Sequence, residues 1–238
     1  MNPDNRAQRL ASDVAQELRT RILTGDYLPG TSLREVSLSE QFGVSRRTVR
    51  EAFLDLAREG LVTHRMNAGA SVRHLERDDV LDLYKIRRIL EREGARACAT
   101  VPSADLDRVT VAFERLSAAA GSGIISSELA EADAAFHGSI IALTGSSRLD
   151  EFYRAIGSQM AFAITLSQLE DATTSMSAEH IIAEHKPIHD ALLGRDVVEA
   201  ERSIIDHIDY YEGRLLNQVS PDMEDPTAAN SRNFPVVS

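Results

Sequence analysis

The chain is poor in the residues that mark several classes of protein. Cys98 is the one cysteine among 238 residues, so an intrachain disulfide and a four-cysteine metal site are both excluded. Its side chain is interpreted as a small buried apolar group. No run of eighteen or more apolar residues occurs, and the charged N-terminus lacks the apolar region of a signal peptide. We therefore expect no membrane span and a location in the reducing cytoplasm.

Charge is distributed unevenly along the chain. The net charge of −11, taken alone, argues against nucleic-acid binding. Residues 1–75, however, carry 11 arginines against 9 acidic residues, whereas residues 76–238 carry 15 basic residues against 28 acidic ones. The mildly basic residues 1–75, called the head below, and the strongly acidic residues 76–238 predict two modules with different partners.

The first 75 residues have the pattern of a winged helix-turn-helix. Helical spacing of apolar residues covers 9–24, a short helix fits 34–43, and a third helix fits 45–60. Two short strands follow at 61–64 and 70–73. Gly43 permits the tight turn and Ser45 is a natural N-cap for the third helix.

Three arginines, Arg46, Arg47 and Arg50, lie at the start and on the exposed face of the third helix. The first residues of a recognition helix reach base edges in the major groove, where arginine binds guanine O6 and N7. Arg65 in the hairpin is expected to add a backbone or minor-groove contact. The alternative is a solvated arginine cluster on an ordinary helix.

The segment "LPGTSLREVSLSEQFGVSRRTVREAFLDLAREGLVTHRMNAGASV" resembles the winged-helix domain of the GntR family of bacterial transcription regulators. The resemblance implies that Arg46 and Arg50 contact bases or phosphates, with Arg34 or Glu35 and the wing near Gly69 assisting. One position departs from the family pattern. The usual Thr-Pro after the motif arginine is Arg47-Thr48 here, so we expect a different operator preference.

Apolar residues recur at helical spacing throughout residues 76–219, which predicts an all-α bundle. The predicted helices are 78–99, 103–120, 127–144, 147–168, 178–194 and 196–217. Residues 220–238 contain three prolines and are expected to be a disordered tail. The expected fold class is therefore mainly α: a winged helix-turn-helix with a small β-hairpin wing, at 1–75, then a helical-bundle effector domain at 76–219.

An acid and several imidazoles point into this bundle. Asp133 and His137 stand four residues apart on an apolar helix face, and His207 also shares a face with apolar residues. His185 and His189 both fit an inward face, and spacing does not choose between them. An ionised aspartate in a core is costly, and a divalent metal held by one carboxylate and three imidazoles resolves that cost. Zn, Ni and Mn are all compatible with these ligands.

The bundle resembles the FadR-type effector domain of GntR regulators, called the FCD domain. Many members carry an Asp-x-x-x-His pair, a histidine in a Glu-His segment, and a histidine about 22 residues later. Asp133, His137, His185 and His207 reproduce that order, so the resemblance favours His185 as the ligand. It also implies that Arg87 holds an effector carboxylate. The alternative for Arg87 is a surface salt bridge with Glu91, four residues on.

These patterns predict a homodimeric transcription regulator, not an enzyme. It would bind a palindromic duplex operator, with an affinity modulated by a small organic acid at the metal site. One alternative keeps the regulator but replaces the metal site by a metal-free pocket, for instance for an acyl-CoA. The other is a metal-dependent hydrolase, since an open metal position activates water. No separate general base is recognisable in the sequence for that reaction.

Overall fold

The structure is a computed structural model that describes residues 3–65, 69–121, 126–171 and 178–219. Its N-terminal part contains three helices and three short strands. These elements are α1 (Pro3–Leu23), β1 (Ser32–Leu33), α2 (Glu35–Phe42), α3 (Arg46–Arg58), β2 (Val62–Arg65) and β3 (Gly69–Val72). The elements that follow are all helical: α4 (Arg77–Ala97), α5 (Ser103–Ala120), α6 (Ser127–Ala142), α7 (Ser147–Asp171), α8 (Ala178–Leu193) and α9 (Val197–Val219). The predicted fold class is confirmed.

The turn between α2 and α3 has the geometry that the sequence predicts. Gly43 adopts the left-handed conformation, with φ of 64°, and the next amide, of Val44, donates to the Ser39 carbonyl. Ser45 then caps α3, because its hydroxyl accepts a hydrogen bond from the Thr48 amide at 3.1 Å. The start of α3 is thereby placed at a defined angle to α2.

The wing is a three-stranded antiparallel sheet of order β1-β3-β2. Strands β2 and β3 form the predicted hairpin, with Val62 opposite Val72 and Arg65 opposite Gly69. Strand β1 pairs Leu33 with Ala70 and was not predicted. Two residues are too few to show an alternating pattern, so only pairing with β3 defines this strand.

The six later helices form a bundle in which α4 packs against both α6 and α9. The predicted helix limits agree with the observed ones to within a few residues. The predicted tail, residues 220–238, lies outside the described residues. None of the helices in the described ranges combines the length and apolar character that crossing a membrane requires.

Helices α4 and α6 approach most closely at Gly94. A Cβ placed there would lie 2.6 Å from the Ile140 carbonyl carbon and would overlap its oxygen. Glu91, one turn before Gly94, thus comes within hydrogen-bonding distance of His137 on α6. The missing side chain at Gly94 permits this contact.

Helix α1 of the N-terminal unit (residues 3–72) packs against α6 and α7, and polar contacts join this unit to α7. The buried Thr165 hydroxyl on α7 donates to the Leu23 carbonyl at 3.0 Å. Ser158, also on α7, donates to Glu59 at 3.2 Å, and Glu59 is paired with Arg19 of α1. Helix α7 is therefore in direct contact with the C-terminal end of α1, at Leu23, and with Glu59, the residue that follows α3.

We expect Gly94→Ala to destabilise the protein by about 1–3 kcal/mol, since α4 must move away from the α6 backbone. Gly213→Ala is the matched control, because Gly213 is an exposed helical glycine with open space around it. Alanine there is expected to stabilise the helix by about 1 kcal/mol. Urea unfolding of both variants measures the difference. Equal effects would contradict the close approach of the two helices.

Candidate functional site

The exposed face of α3 presents two arginines that share one carboxylate. Glu35 Oε2 lies 3.1 Å from Arg46 Nη2 and 3.5 Å from Arg50 Nε. Both guanidinium groups remain more than half exposed, whereas the Glu35 carboxylate is largely covered. Glu35 therefore orients both arginines and leaves their outer edges free for another partner.

The other residues predicted to contact DNA occupy different surroundings. Ser45 and Thr48 bond to one another at the start of α3, and Thr48 is buried, so its hydroxyl belongs to the helix cap. Arg47 is 85% exposed and pairs with Glu51 on the next turn. Arg34 is exposed at the N-cap position of α2, and Gly69 begins β3 with φ of 84°. The side chain of Arg65 lies outside the described part of the chain. DNA contacts by all of these residues remain predictions.

Three buried histidines meet inside the bundle. His137 of α6, His185 of α8 and His207 of α9 each place a ring nitrogen within 4.8 Å of the others. Their ring centroids are 4.5–5.4 Å apart. The three rings come from three helices, so the bundle itself assembles the cluster.

Asp133 of α6 lies beside the three histidines. Its Oδ2 lies 3.3 Å from His185 Nε2, and its Oδ1 lies 3.6 Å from His137 Nε2. Burial opposes its ionisation, but His185, His137 and Arg87 together lower the pKa of Asp133 to about 2. The cluster therefore contains a carboxylate that is almost completely buried.

His185 lies in the cluster and His189 does not. The Nε2 atom of His189 lies 3.2 Å from the Thr110 hydroxyl, and its ring stacks on Phe113 at 4.6 Å. These contacts explain its inward position without any ligand. The structure thus separates two histidines that helical spacing alone left equivalent.

Glu91 is a site residue that the sequence analysis considered only as a surface partner of Arg87. The pair exists, with Nε donating to Oε1 at 2.6 Å, but both side chains are at most 1% exposed. The second oxygen of Glu91 lies 2.7 Å from His137 Nδ1. Although burial opposes ionisation, His137 and Arg87 hold the pKa of Glu91 below its usual value. The alternative of an Arg87–Glu91 salt bridge is therefore correct about the pair but wrong about the surface, because this face of α4 packs into the core.

Two of the histidines have their outer nitrogen engaged. His137 Nδ1 donates to Glu91, and His185 Nδ1 donates to the Ile181 carbonyl at 2.8 Å. In the neutral form of each ring the Nε2 lone pair is then directed into the cluster, as in metal sites whose histidines are held by an outer hydrogen bond. Although burial opposes protonation, Asp133 raises the pKa of His185. Burial and the neighbouring His185 and His137 keep the pKa of His207 well below its usual range, so that ring is neutral.

Several buried polar atoms around the cluster have no hydrogen-bond partner among the described residues. They are Tyr84 Oη, Arg87 Nη2, Asp133 Oδ1, His137 Nε2, His185 Nε2 and His207 Nδ1. A buried polar group left unsatisfied costs about 1–3 kcal/mol, and folded proteins contain few of them. The histidine nitrogens and the Asp133 oxygen among these atoms can each coordinate a metal ion, so their position close together fits a bound cation.

Access to the cluster comes from between α8 and α9. A groove of about 270 Å³ lies there and reaches His207. Glu184, Asp206 and Arg202 line it, so its walls carry both signs of charge. The groove connects solvent with the one histidine of the cluster whose Nδ1 is unsatisfied.

The fold and these two sites define a class of protein, namely a winged-helix DNA-binding regulator with a ligand-binding helical domain. The sequence matches the FCD domain over residues 82–210 and "Bacterial regulatory proteins, gntR family" over residues 10–72. The chain belongs to the GntR family, with an FCD domain following the helix-turn-helix.

Proteins similar to the chain along most of its length are transcription regulators. One is a probable D-xylose utilization operon transcriptional repressor from Paenarthrobacter nicotinovorans, 28% identical over 85% of this chain and 87% of its own. Another is the Exu regulon transcriptional regulator of Escherichia coli K12, 27% identical over 91% and 88%. A solved GntR regulator from Rhodococcus sp. RHA1 superposes with a TM-score of 0.72 at 28% identity, covering 87% of this chain and 97% of that chain. The prediction of a regulator, and not an enzyme, is confirmed.

We expect Glu91→Ala to lower the free energy of unfolding by about 3–5 kcal/mol, because it leaves the buried Arg87 cation unpaired. Asp55→Ala is the matched control. It removes the acid of an exposed i,i+3 pair with Arg58 and should change stability little. Chemical denaturation compares the two variants. Similar small losses would contradict the role of Glu91 as the counter-ion of Arg87.

Proposed function

We propose that the chain is a cytoplasmic, homodimeric regulator of the FadR subfamily that represses transcription and is controlled by a small carboxylate metabolite. The observation that carries this proposal is the buried cluster of Asp133 and three histidines in a chain that also has a DNA-binding head. Residues 1–75 form the DNA-binding domain in this proposal, and residues 76–219 form the effector domain. Repression is inferred from the relative named as a repressor.

Operator binding is assigned to α3. The arginines that share Glu35 are held at the start of the recognition helix, where side chains reach base edges and phosphates. A dimer on a palindromic operator follows from the half-site geometry of this class of domain. Arg34, Arg47, Arg65 and the wing at Gly69 are proposed to contribute further contacts.

A divalent metal is proposed for the cluster, held by Asp133, His137, His185 and His207. The donor set of one carboxylate and three imidazoles suits Zn, Ni or Mn. Asp133 would supply the anionic ligand, and a bound metal would act as a Lewis acid toward an oxygen of the effector. Glu91 and the Ile181 carbonyl fix the orientation of two of the imidazole ligands.

The same helices connect this cluster with the DNA-binding head. Asp133 and His137 lie on α6, whose other side lines a cleft of about 840 Å³ together with Arg19 and Leu23 of α1. Effector binding that shifts α6 or α7 would therefore bias the position of the head. By linkage, operator binding would alter effector affinity by the same factor.

Arg46→Ala and Arg50→Ala are each expected to weaken operator binding by about tenfold or more. The measurement is fluorescence anisotropy on a duplex selected from genomic DNA. Arg202→Ala on α9 removes the same charge outside the head and should leave the affinity unchanged. Operator binding by both α3 variants at the affinity of the unsubstituted protein would rule out the proposed recognition helix.

A His185→Ala/His207→Ala double variant is expected to lose its bound metal, since half of the proposed ligands are removed. Elemental analysis after purification without chelators measures the content per chain. His189→Ala is the matched control, because it removes a half-buried imidazole that lies on the helix of His185 but outside the cluster. Equal metal content in the double variant and the control would overturn the metal site.

A further inference from the structure

The three histidines of the cluster are not held equally. An outer hydrogen bond fixes the ring of His137, to Glu91, and another fixes the ring of His185, to a backbone carbonyl. For His207 the described part of the chain supplies ring contacts but no outer hydrogen bond, and its Nδ1 is buried without a partner. His207 is therefore the ring that can turn at the lowest cost.

His207 is also the ring that lies nearest to solvent. It is 7% exposed, whereas His137 and His185 are 1% and 0% exposed. Of these three histidines it is the one that lines the groove of about 270 Å³ between α8 and α9. The groove thus leads from the surface to the histidine that is held least.

A proline weakens one wall of this groove. Pro187 lies inside α8, and both Pro187 and Ala183, one turn earlier, line the groove. Because proline has no amide hydrogen, the Ala183 carbonyl lacks the donor that a helix normally supplies. The wall therefore contains a backbone oxygen without its usual partner. At this turn α8 is also easier to distort than a helix with a complete set of hydrogen bonds.

The charges along the groove favour a cation. Asp206, with a side chain 66% exposed, and Glu184, with a side chain 19% exposed, line it at different depths. The cation in the wall, Arg202, is paired with both Asp206 and Glu199. Two carboxylates against one guanidinium leave the walls with a net negative charge.

Tyr211 connects the inner of these two acids with the cluster. Its hydroxyl donates to Glu184, and its ring packs against the His207 ring with 4.9 Å between centroids. Glu184 also directly precedes His185 on α8. The inner carboxylate is thus separated from the cluster by the width of one aromatic ring.

We propose that the groove between α8 and α9 is the path by which a divalent metal enters and leaves the cluster. In this proposal Glu184 attracts the cation, and His207 is the ligand that binds last and leaves first. The proposal rests on the metal site of the proposed function and adds how that site is filled. A negative wall raises the local concentration of a cation and speeds its arrival. Narrowing the path raises the barrier to entry and to exit alike, so both rates fall while the equilibrium affinity stays the same.

The test measures zinc exchange in the full-length protein, with zinc alone as the probe. An excess of a chromogenic chelator, at concentrations where the rate no longer depends on it, gives the release rate. Competition with the same chelator gives the equilibrium affinity, and the two together give the loading rate.

Ala183→Leu narrows the groove at an exposed helical position. It is expected to slow zinc release about tenfold or more at unchanged affinity. Leucine is nearly as good a helix former as alanine, so the melting temperature should stay close to that of the unsubstituted protein. Ala155→Leu is the matched control, because Ala155 is an exposed helical alanine on α7 that does not line the groove. Its release rate should not change.

Glu184→Gln removes the charge but keeps a side-chain oxygen for the Tyr211 hydroxyl. Zinc is expected to load about tenfold more slowly at low ionic strength, and the difference should shrink in high salt. Glu179→Gln is the matched control, since it removes the same charge from an exposed position on α8 outside the groove walls. A merely structural role for Glu184 predicts a lower melting temperature without this salt dependence, and that result would overturn its assignment.

The remaining outcomes separate this proposal from the proposed function. Zinc release from Ala183→Leu at the rate of the unsubstituted protein, or equal slowing in Ala155→Leu, would overturn the path and leave the metal site intact. Faster release with weaker affinity in Ala183→Leu would also overturn the path, because it indicates damage to the site itself. Absence of zinc binding to the unsubstituted protein would overturn both the path and the metal site, whereas operator binding, measured separately, would still stand.

Discussion

A chain of three buried groups, Arg87, Glu91 and His137, determines how the effector domain is built. Glu91 accepts from the guanidinium at 2.6 Å and from the imidazole at 2.7 Å, with almost no exposure to solvent. Each group needs the next, because an unpaired charge in a core is far more costly than an exposed one. Gly94 makes the arrangement possible by letting the α6 backbone approach α4. The orientation of His137, and with it the geometry of the histidine cluster, depends on this crossing.

The histidine cluster differs from the rest of the core in being unsatisfied. Thr165, for example, is buried but donates to the Leu23 carbonyl. Around Asp133, by contrast, several buried nitrogen and oxygen atoms of different residues converge without a hydrogen bond of normal geometry among the described residues. Folded proteins tolerate such a cost mainly where binding removes it. A ligand at this position would also stabilise the native state by mass action, so stability and sensing share the same atoms.

The effector domain and the DNA-binding head are joined by the helices that carry the site. Asp133 and His137 lie on α6, and α7 reaches the head at Ser158 and Thr165. In the head, Glu35 holds Arg46 and Arg50 in place while leaving them accessible. The contacts of α7 thus reach Glu59, the residue that follows the recognition helix.

The sequence by itself determined the order of helices, the turn at Gly43, the cap at Ser45 and the inward direction of Asp133 and His137, because these depend on local propensity and on helical periodicity. Helical periodicity left His185 and His189 equivalent, the family resemblance favoured His185, and the tertiary structure showed which of the two rings meets the other histidines. It also placed Glu91 in the core. Those properties arise from contacts between α4 and the helices around it, and a periodicity within one helix carries no information about which neighbour it will meet.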